Sequence, residues 1–161
     1  MRGHNGILFI WLTLFIGLCL QIIPWPPAYN MFKPHWFMLI LAYWLIAQPY
    51  QVGIGTAFLF GLMLDLCSGT FLGVHAFIYS FIAYLLVFKY QLLRNLALWQ
   101  QSFIIIAVSV CYNGLVFIFQ VSIYHIISMS PYILLSSCVD GFLWIWIYLL
   151  LRRIARNFAI N

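Results

Sequence analysis

Long apolar runs, separated by short polar connections, make up almost the whole chain. Each run is rich in Leu, Ile and Phe and nearly free of charge, so the pattern predicts six membrane-embedded helices. The runs cover residues 7–23, 36–48, 53–66, 74–88, 103–122 and 132–151. The second is short for a bilayer. It is predicted either to cross a thinned region or to form a re-entrant pair with the third.

Composition identifies the solvent of this chain as lipid. Of its 161 residues, 66% are hydrophobic and 6% are charged, against roughly 45–50% and about 25% in soluble domains. We therefore expect one integral membrane domain over residues 1–161. The first run could be a signal peptide, but it ends in Pro24-Trp25-Pro26-Pro27 and not in a small-residue cleavage site, so it is expected to stay in the mature protein.

The positive charges indicate how the chain is oriented, because cytoplasmic connections collect Lys and Arg. Six crossings with both termini in the cytoplasm leave one cation, Lys33, on the outer side. The other six would be cytoplasmic: Arg2, Lys89, Arg94, Arg152, Arg153 and Arg156. A net charge of +5 without a basic stripe is too sparse for a nucleic-acid surface.

One stripe of small residues recurs every fourth position in the third run. It consists of Gly53, Ala57 and Gly61 and ends in the carboxylate of Asp65. Small side chains let a neighbouring helix approach closely, and the carboxylate must be shielded from lipid by protein or water. The stripe predicts a helix-docking groove. Its occupant is either another helix of this chain, or a partner's helix or a ligand.

Asp65 and Asp140 are the two acidic residues, and both fall within apolar runs. An ionisable group inside a membrane is a candidate functional residue. The alternative is a protonated or hydrogen-bonded packing residue. A proton relay needs a chain of polar partners, and the sequence alone does not reveal one.

Three histidines, His35, His75 and His125, are expected near the outer face. They superficially suggest a metal site, but they come from separate elements and the sequence shows no carboxylate to orient them. No metal site and no cofactor is predicted. The cysteines occur singly, without zinc-ligand spacing, and are read as small packing or lipid-facing residues: Cys19, Cys67, Cys111 and Cys138.

The connection over residues 89–101, KYQLLRNLALWQQ, predicts an interfacial amphipathic helix. Its apolar face would carry Leu92, Leu93, Leu96 and Trp99, and its polar face Gln91, Arg94, Asn95 and Gln101. It is either a simple membrane anchor or a cytoplasmic contact surface, with Arg94 and Trp99 as contacts. The arginines that follow the last run are interpreted as an orientation signal that also contacts anionic lipid.

Four segments together resemble a known family over essentially the whole chain. They are QIIPWP (21–26), YWLIAQPYQVGIGTAFLFGLMLDLCSGTFLG (43–73), KYQLLRNLALWQQ (89–101) and DGFLWIWIYLLLRR (140–153). In this order they are similar to the rod shape-determining protein MreD family of Gram-negative bacteria. The family resembles, in architecture, the six-helix substrate-binding subunits of energy-coupling-factor vitamin transporters.

The resemblance implies an inner-membrane component of the cell-elongation machinery. It implies direct association with MreC, and direct or indirect links to MreB, RodA and a class B penicillin-binding transpeptidase. No catalytic residue is implied, and an enzyme is the weakest hypothesis because no nucleophile, base or metal constellation is present. The leading hypothesis is a non-enzymatic scaffold. The alternative is a membrane subunit that binds a substrate or lipid in a cavity lined by Asp65 or Asp140.

Overall fold

The fold is taken from a computed structural model, which describes residues 2–26, 32–125 and 133–157. The described part of the chain is helical, without strands. Its elements are α1 (Arg2–Ile22), α2 (Trp36–Ala47), α3 (Ile54–Ser68), α4 (Val74–Phe88), α5 (Tyr90–Asn95), α6 (Leu98–Tyr124) and α7 (Ile133–Asn157). Pro27 of the predicted turn and Tyr132, the predicted start of the last run, lie outside the described residues.

Helix α2 is the central element of the bundle. Its residues 37–46 are all buried, because α1, α4, α5 and α7 pack around it. The indole Nε1 of Trp44 donates a hydrogen bond to Thr13 Oγ1 of α1 at 2.9 Å, so the buried Trp has a partner for its one polar atom. The short second run therefore forms a helix that protein covers on every side.

The most extensive helix contacts are between neighbours along the chain: α1 with α2, α3 with α4, and α6 with α7. The α3–α4 turn is tight, and Gly69 and Gly73 in it have positive φ angles of 65° and 101°. Such angles favour glycine because they place a Cβ too close to the backbone. The turn sets the end of α3 directly beside the start of α4.

The outside of the bundle is apolar. Leu8 and Leu12 on α1, and Phe142 and Trp146 on α7, are all exposed. A soluble protein rarely leaves so large a continuous apolar surface in water. The exposed side chains are therefore those of a membrane protein, in agreement with the composition.

Two helices contain apolar stretches long enough to cross a bilayer. These are Leu98–Ile123, with 26 residues, and Ile133–Arg156, with 24. The other four predicted runs form shorter apolar helices. Crossing by all six remains a prediction.

The predicted continuous helix over residues 89–101 is wrong. Helix α5 ends at Asn95, the backbone is extended at Leu96 and Ala97, and α6 begins at Leu98. The buried amide of Gln101 donates to the carbonyl oxygens of Leu93 at 2.9 Å and Leu96 at 3.3 Å. Gln101 thus bonds carbonyls at the helix break, which the amphipathic pattern could not indicate.

The predicted faces of this segment are also redistributed by the break. Leu93 and Gln101 are both buried, although the pattern put them on opposite faces. Leu92 and Trp99 are each 61% exposed. Trp99 therefore points away from the bundle.

Candidate functional site

The small-residue stripe of α3 packs against α4 of the same chain. A Cβ added at Gly61 would lie 2.4 Å from Ala76 Cα and 2.7 Å from Ala76 N, so the two backbones are in direct contact. Ala57 and Asp65 are completely buried, whereas Gly53 has no atom within 4 Å of such a Cβ. The internal alternative accounts for this groove, and binding of a partner at the stripe stays a prediction.

The carboxylate of Asp65 is enclosed by donors from the α3–α4 turn. It accepts hydrogen bonds from Thr70 Oγ1 at 3.0 Å, from the Gly73 N–H at 2.9 Å and from the His75 N–H at 3.1 Å. The His75 ring Nδ1 lies 2.7 Å from Asp65 Oδ1. A fully buried carboxylate with this set of donors is satisfied without water or lipid headgroups.

Asp140 has a similar environment, formed by the start of α2 and by α6. It accepts a hydrogen bond from the His35 N–H at 2.9 Å, and the His35 ring Nδ1 lies 2.6 Å from Asp140 Oδ2. Ser109 Oγ of α6 donates to the same carboxylate oxygen at 2.5 Å. Asp140 thereby fastens α7 to α6 and to the start of α2.

A glycine beside Asp140 permits this close approach of α6 and α7. A Cβ added at Gly141 would lie 2.4 Å from Ile106 Cγ1 and 3.3 Å from the Ser102 carbonyl oxygen. A larger residue would require the Ile106 side chain to move, so glycine at this position lets α6 and α7 pack closely.

Two tyrosines join the two aspartate–histidine pairs into one cluster. The Tyr112 ring lies 4.7 Å from the His35 ring and 6.3 Å from the His75 ring, measured between centroids. Tyr79 stacks on Tyr112 at 5.4 Å. We refer to this set as the Asp–His cluster: His35, Asp65, Thr70, His75, Tyr79, Ser109, Tyr112 and Asp140.

The cluster connects five parts of the chain. They are the α3–α4 turn with its flanking residues, the start of α2, and the interiors of α4, α6 and α7. Both carboxylates are fully buried, and the two histidine side chains are 12% and 15% exposed. Each carboxylate lies within hydrogen-bond distance of a histidine Nδ1, so the two pairs hold their helices in position inside the bundle.

These contacts revise two predictions. The sequence suggested no carboxylate beside the histidines and no chain of polar partners, yet His35 and His75 each contact an aspartate. His125 lies apart, at the end of α6. Among the described residues, no group of three His, Cys, Asp or Glu side chains could hold a metal ion.

The sequence signal for the cluster is uneven. His75 lies ten residues after Asp65, across a turn marked by two glycines, so that pair could have been found from local spacing. Asp140 and His35 are 105 residues apart, and no local pattern connects them. Ser109 and Tyr112 look like ordinary polar members of an apolar helix until α7 is placed beside them.

The two remaining candidates, Arg94 and Trp99, lie at the opposite end of the bundle from the Asp–His cluster. Arg94 lines a cleft of about 650 Å³ together with Arg152 and Arg156. Trp99 is exposed and does not line that cleft. The structure therefore places Arg94 in a cationic cleft and leaves Trp99 on the outer surface.

Comparison with known proteins gives two matches that agree. The family model described as rod shape-determining protein MreD matches residues 2–154. The rod shape-determining protein MreD of Haemophilus influenzae is 37% identical over 155 residues, which cover 94% of this chain and 95% of that protein. Comparison with solved structures finds no match.

Proposed function

The chain belongs to the rod shape-determining protein MreD family, and from that premise we propose that it is a non-enzymatic scaffold of the cell-elongation machinery. Family membership supports a role in rod shape determination. In the proposal the chain lies in the inner membrane, binds MreC and helps couple MreB to peptidoglycan synthesis by RodA and a class B penicillin-binding transpeptidase. The observation that carries this is the family match over nearly the whole chain.

The internal chemistry of the bundle supports a scaffold over an enzyme. The acidic side chains of the chain, Asp65 and Asp140, are both engaged with histidines inside the bundle. Neither carboxylate is therefore placed to act on a substrate as a general acid or base. Carboxylates that are bonded within the bundle, together with apolar outer faces, suit a protein that contacts other membrane helices.

We propose six crossings with both termini in the cytoplasm. The convergence of Arg94, Arg152 and Arg156 on one cleft supports this orientation, since it gathers cations from two separate segments at one end of the bundle. Lys33 precedes α2 at the other end, beside His35. The positive-inside rule then assigns the arginine-lined end to the cytoplasm.

We propose that the MreC membrane helix packs on the exposed side of α3. The small-residue side of α3 faces α4. The other side of α3 carries four exposed residues at helical spacing: Gly55, Leu59, Met63 and Leu66. A Cβ added at Gly55 meets nothing within 4 Å. This outer α3 face, defined by these four residues, offers a small residue and three apolar side chains to a partner helix.

Cysteine crosslinking tests this interface directly. The four natural cysteines would first be replaced by serine, and Leu59→Cys and Met63→Cys would be paired with cysteines along the MreC membrane helix. We expect crosslinks with a period of three to four residues on MreC. Matched controls are Phe103→Cys and Ile118→Cys, which are 66% and 58% exposed on α6. Crosslinks from α6 alone would contradict the assignment.

The cytoplasmic contact is tested by the same approach at Trp99. Trp99→Cys lies at an exposed position next to the α5–α6 break, and we expect it to crosslink to MreB. Recovery of MreC after purification in mild detergent tests the scaffold itself. Failure to co-purify MreC, with the protein correctly inserted, would contradict the scaffold proposal.

The alternative function, binding of a substrate between the helices, predicted a cavity lined by Asp65 or Asp140. Both carboxylates are instead surrounded by donors of this chain. This form of the alternative therefore gains no support from the geometry of the two aspartates.

A further inference from the structure

A cationic cleft occupies the end of the bundle remote from the Asp–His cluster. Its volume is about 650 Å³, and the end of α2, the α5–α6 break and the end of α7 form its walls. Arg94, Arg152 and Arg156 line it, with Gln48 and Gln101 as additional polar groups. This volume falls within the range of small-ligand sites.

The arginines of the cleft lack an acidic side chain to balance them. The chain has two acidic residues, and both are paired with histidines in the Asp–His cluster. Three guanidinium groups around one cleft repel each other, and each offers five fixed N–H donors. A bound anion would relieve the repulsion, and guanidinium forks match the geometry of phosphate oxygens.

An apolar groove continues from the cleft along the membrane-facing side of α7. Its volume is about 920 Å³, and it shares Arg152 and Arg156 with the cleft. Leu143, Ile147 and Leu150 line it. From Leu143 to Arg156 a helix rises about 20 Å, which covers one leaflet of a hydrocarbon layer roughly 30 Å thick.

We propose that the cleft and groove together bind an anionic phospholipid. The arginines hold the phosphate of the headgroup, and one acyl chain lies along Leu143, Ile147 and Leu150. A free phosphate would use the cleft and leave the groove unexplained. A zwitterionic lipid would fill the groove but gain less from three unpaired cations. The shared arginines make an acidic headgroup on an acyl chain the ligand that fits both features.

The test uses the full chain in detergent and measures lipid binding by native mass spectrometry. The probes are phosphatidylglycerol, phosphatidylethanolamine and inorganic phosphate. We expect the unmodified protein to prefer phosphatidylglycerol. The double substitution Arg152→Gln and Arg156→Gln should weaken phosphatidylglycerol binding about tenfold or more. It should weaken phosphatidylethanolamine binding less, because the ammonium group of that lipid already offsets its phosphate charge.

Lys89→Gln is the matched control. It removes one positive charge at the same end of the bundle, at an exposed residue that does not line the cleft. We expect it to bind phosphatidylglycerol as the unmodified protein does. Equal losses in the control and the double variant would mean a general charge effect and would overturn the site.

Two further variants keep the proposal testable if the double variant does not fold. Arg94→Gln alters the short helix α5 and leaves both α7 arginines in place; it should lower phosphatidylglycerol affinity severalfold. Leu150→Trp obstructs the groove at a residue that is 59% exposed. It should weaken phosphatidylglycerol binding without changing the cleft. Displacement of phosphatidylglycerol by millimolar inorganic phosphate, or equal binding of both lipids, would overturn the proposal.

Discussion

Asp65 illustrates how this chain keeps a carboxylate inside an apolar bundle. Its two oxygens accept hydrogen bonds from Thr70 Oγ1 and from the backbone N–H groups of Gly73 and His75. An unpaired buried carboxylate would instead carry a large desolvation penalty. Asp65 therefore stabilises the α3–α4 turn. Its replacement should lower the stability of the protein more than replacement of any lipid-facing neighbour.

We expect Asp65→Ala to destabilise the protein by about 3 kcal/mol, because it leaves the partly buried donors of Thr70, Gly73 and His75 without their acceptor. Thermal unfolding in detergent, followed by loss of helical circular dichroism or by aggregation, measures the change. Asp65→Asn retains one acceptor oxygen, so its stability should lie between that of Asp65→Ala and that of the unmodified protein.

Cys67→Ala is the control for this prediction. Cys67 is exposed on the same helix, so the substitution changes a side chain that has no part in the Asp–His cluster. Its midpoint should match that of the unmodified protein. Equal midpoints for Asp65→Ala and Cys67→Ala would show that the carboxylate contributes nothing to stability.

At the scale of the helices, backbone contact between α3 and α4 depends on Gly61. The nearest atoms to an added Cβ are backbone atoms of Ala76 and His75, which cannot rotate away as a long side chain could. The two helices would have to separate, and Asp65 would lose its alignment with His75. The close packing of α3 on α4 and the hydrogen bonds of Asp65 therefore depend on each other.

We expect Gly61→Ala to lower stability by roughly 1–3 kcal/mol, as for an overpacked core. Gly55→Ala is a matched control on the same helix, because an added Cβ there meets no atom within 4 Å. It should be neutral or slightly stabilising. Comparable melting midpoints for the two variants would contradict the contact.

Helix positions could be predicted from the sequence because lipid imposes a simple rule on apolar length. The run 74–88 coincides with α4, and α2 and α3 differ from their runs by one or two residues. Helix α6 begins five residues before its predicted start at 103, because Trp99, Gln100 and Gln101 interrupt the apolar pattern. Gln101 fits there only because the helix break and Trp144 supply its partners.

The arrangement of the whole molecule was less accessible than its helices. Hydropathy identifies α2 as an apolar run that is short for a bilayer, but it carries no information on which helix lies beside which. It could not show that neighbouring helices bury residues 37–46 of α2. The pairing of His35 with Asp140 depends on α2 and α7 being neighbours. Side chains can be assigned to a shared cluster only after that packing is known.

The orientation of the whole bundle can be tested with two connections that should face opposite sides. In the six-crossing arrangement the α2–α3 connection is cytoplasmic and the α3–α4 turn is periplasmic. Tyr50 is 90% exposed in the first and Leu72 is 63% exposed in the second. In a background without natural cysteines, Leu72→Cys should react with an impermeant maleimide in cells with a permeable outer membrane and an intact inner membrane. Tyr50→Cys should react only after lysis.

Both outcomes of this labelling are informative, because α2 and α3 have too few residues for hydropathy to decide their crossing. If Tyr50→Cys reacts in intact cells, the α2–α3 connection is periplasmic, and α2 and α3 do not each span the membrane. The arginine-lined end would then be split between the two sides, since Tyr50 follows Gln48 of the cleft. A protected Tyr50→Cys with an accessible Leu72→Cys requires α3 to cross, and Asp65 and His75 then lie toward the periplasmic side.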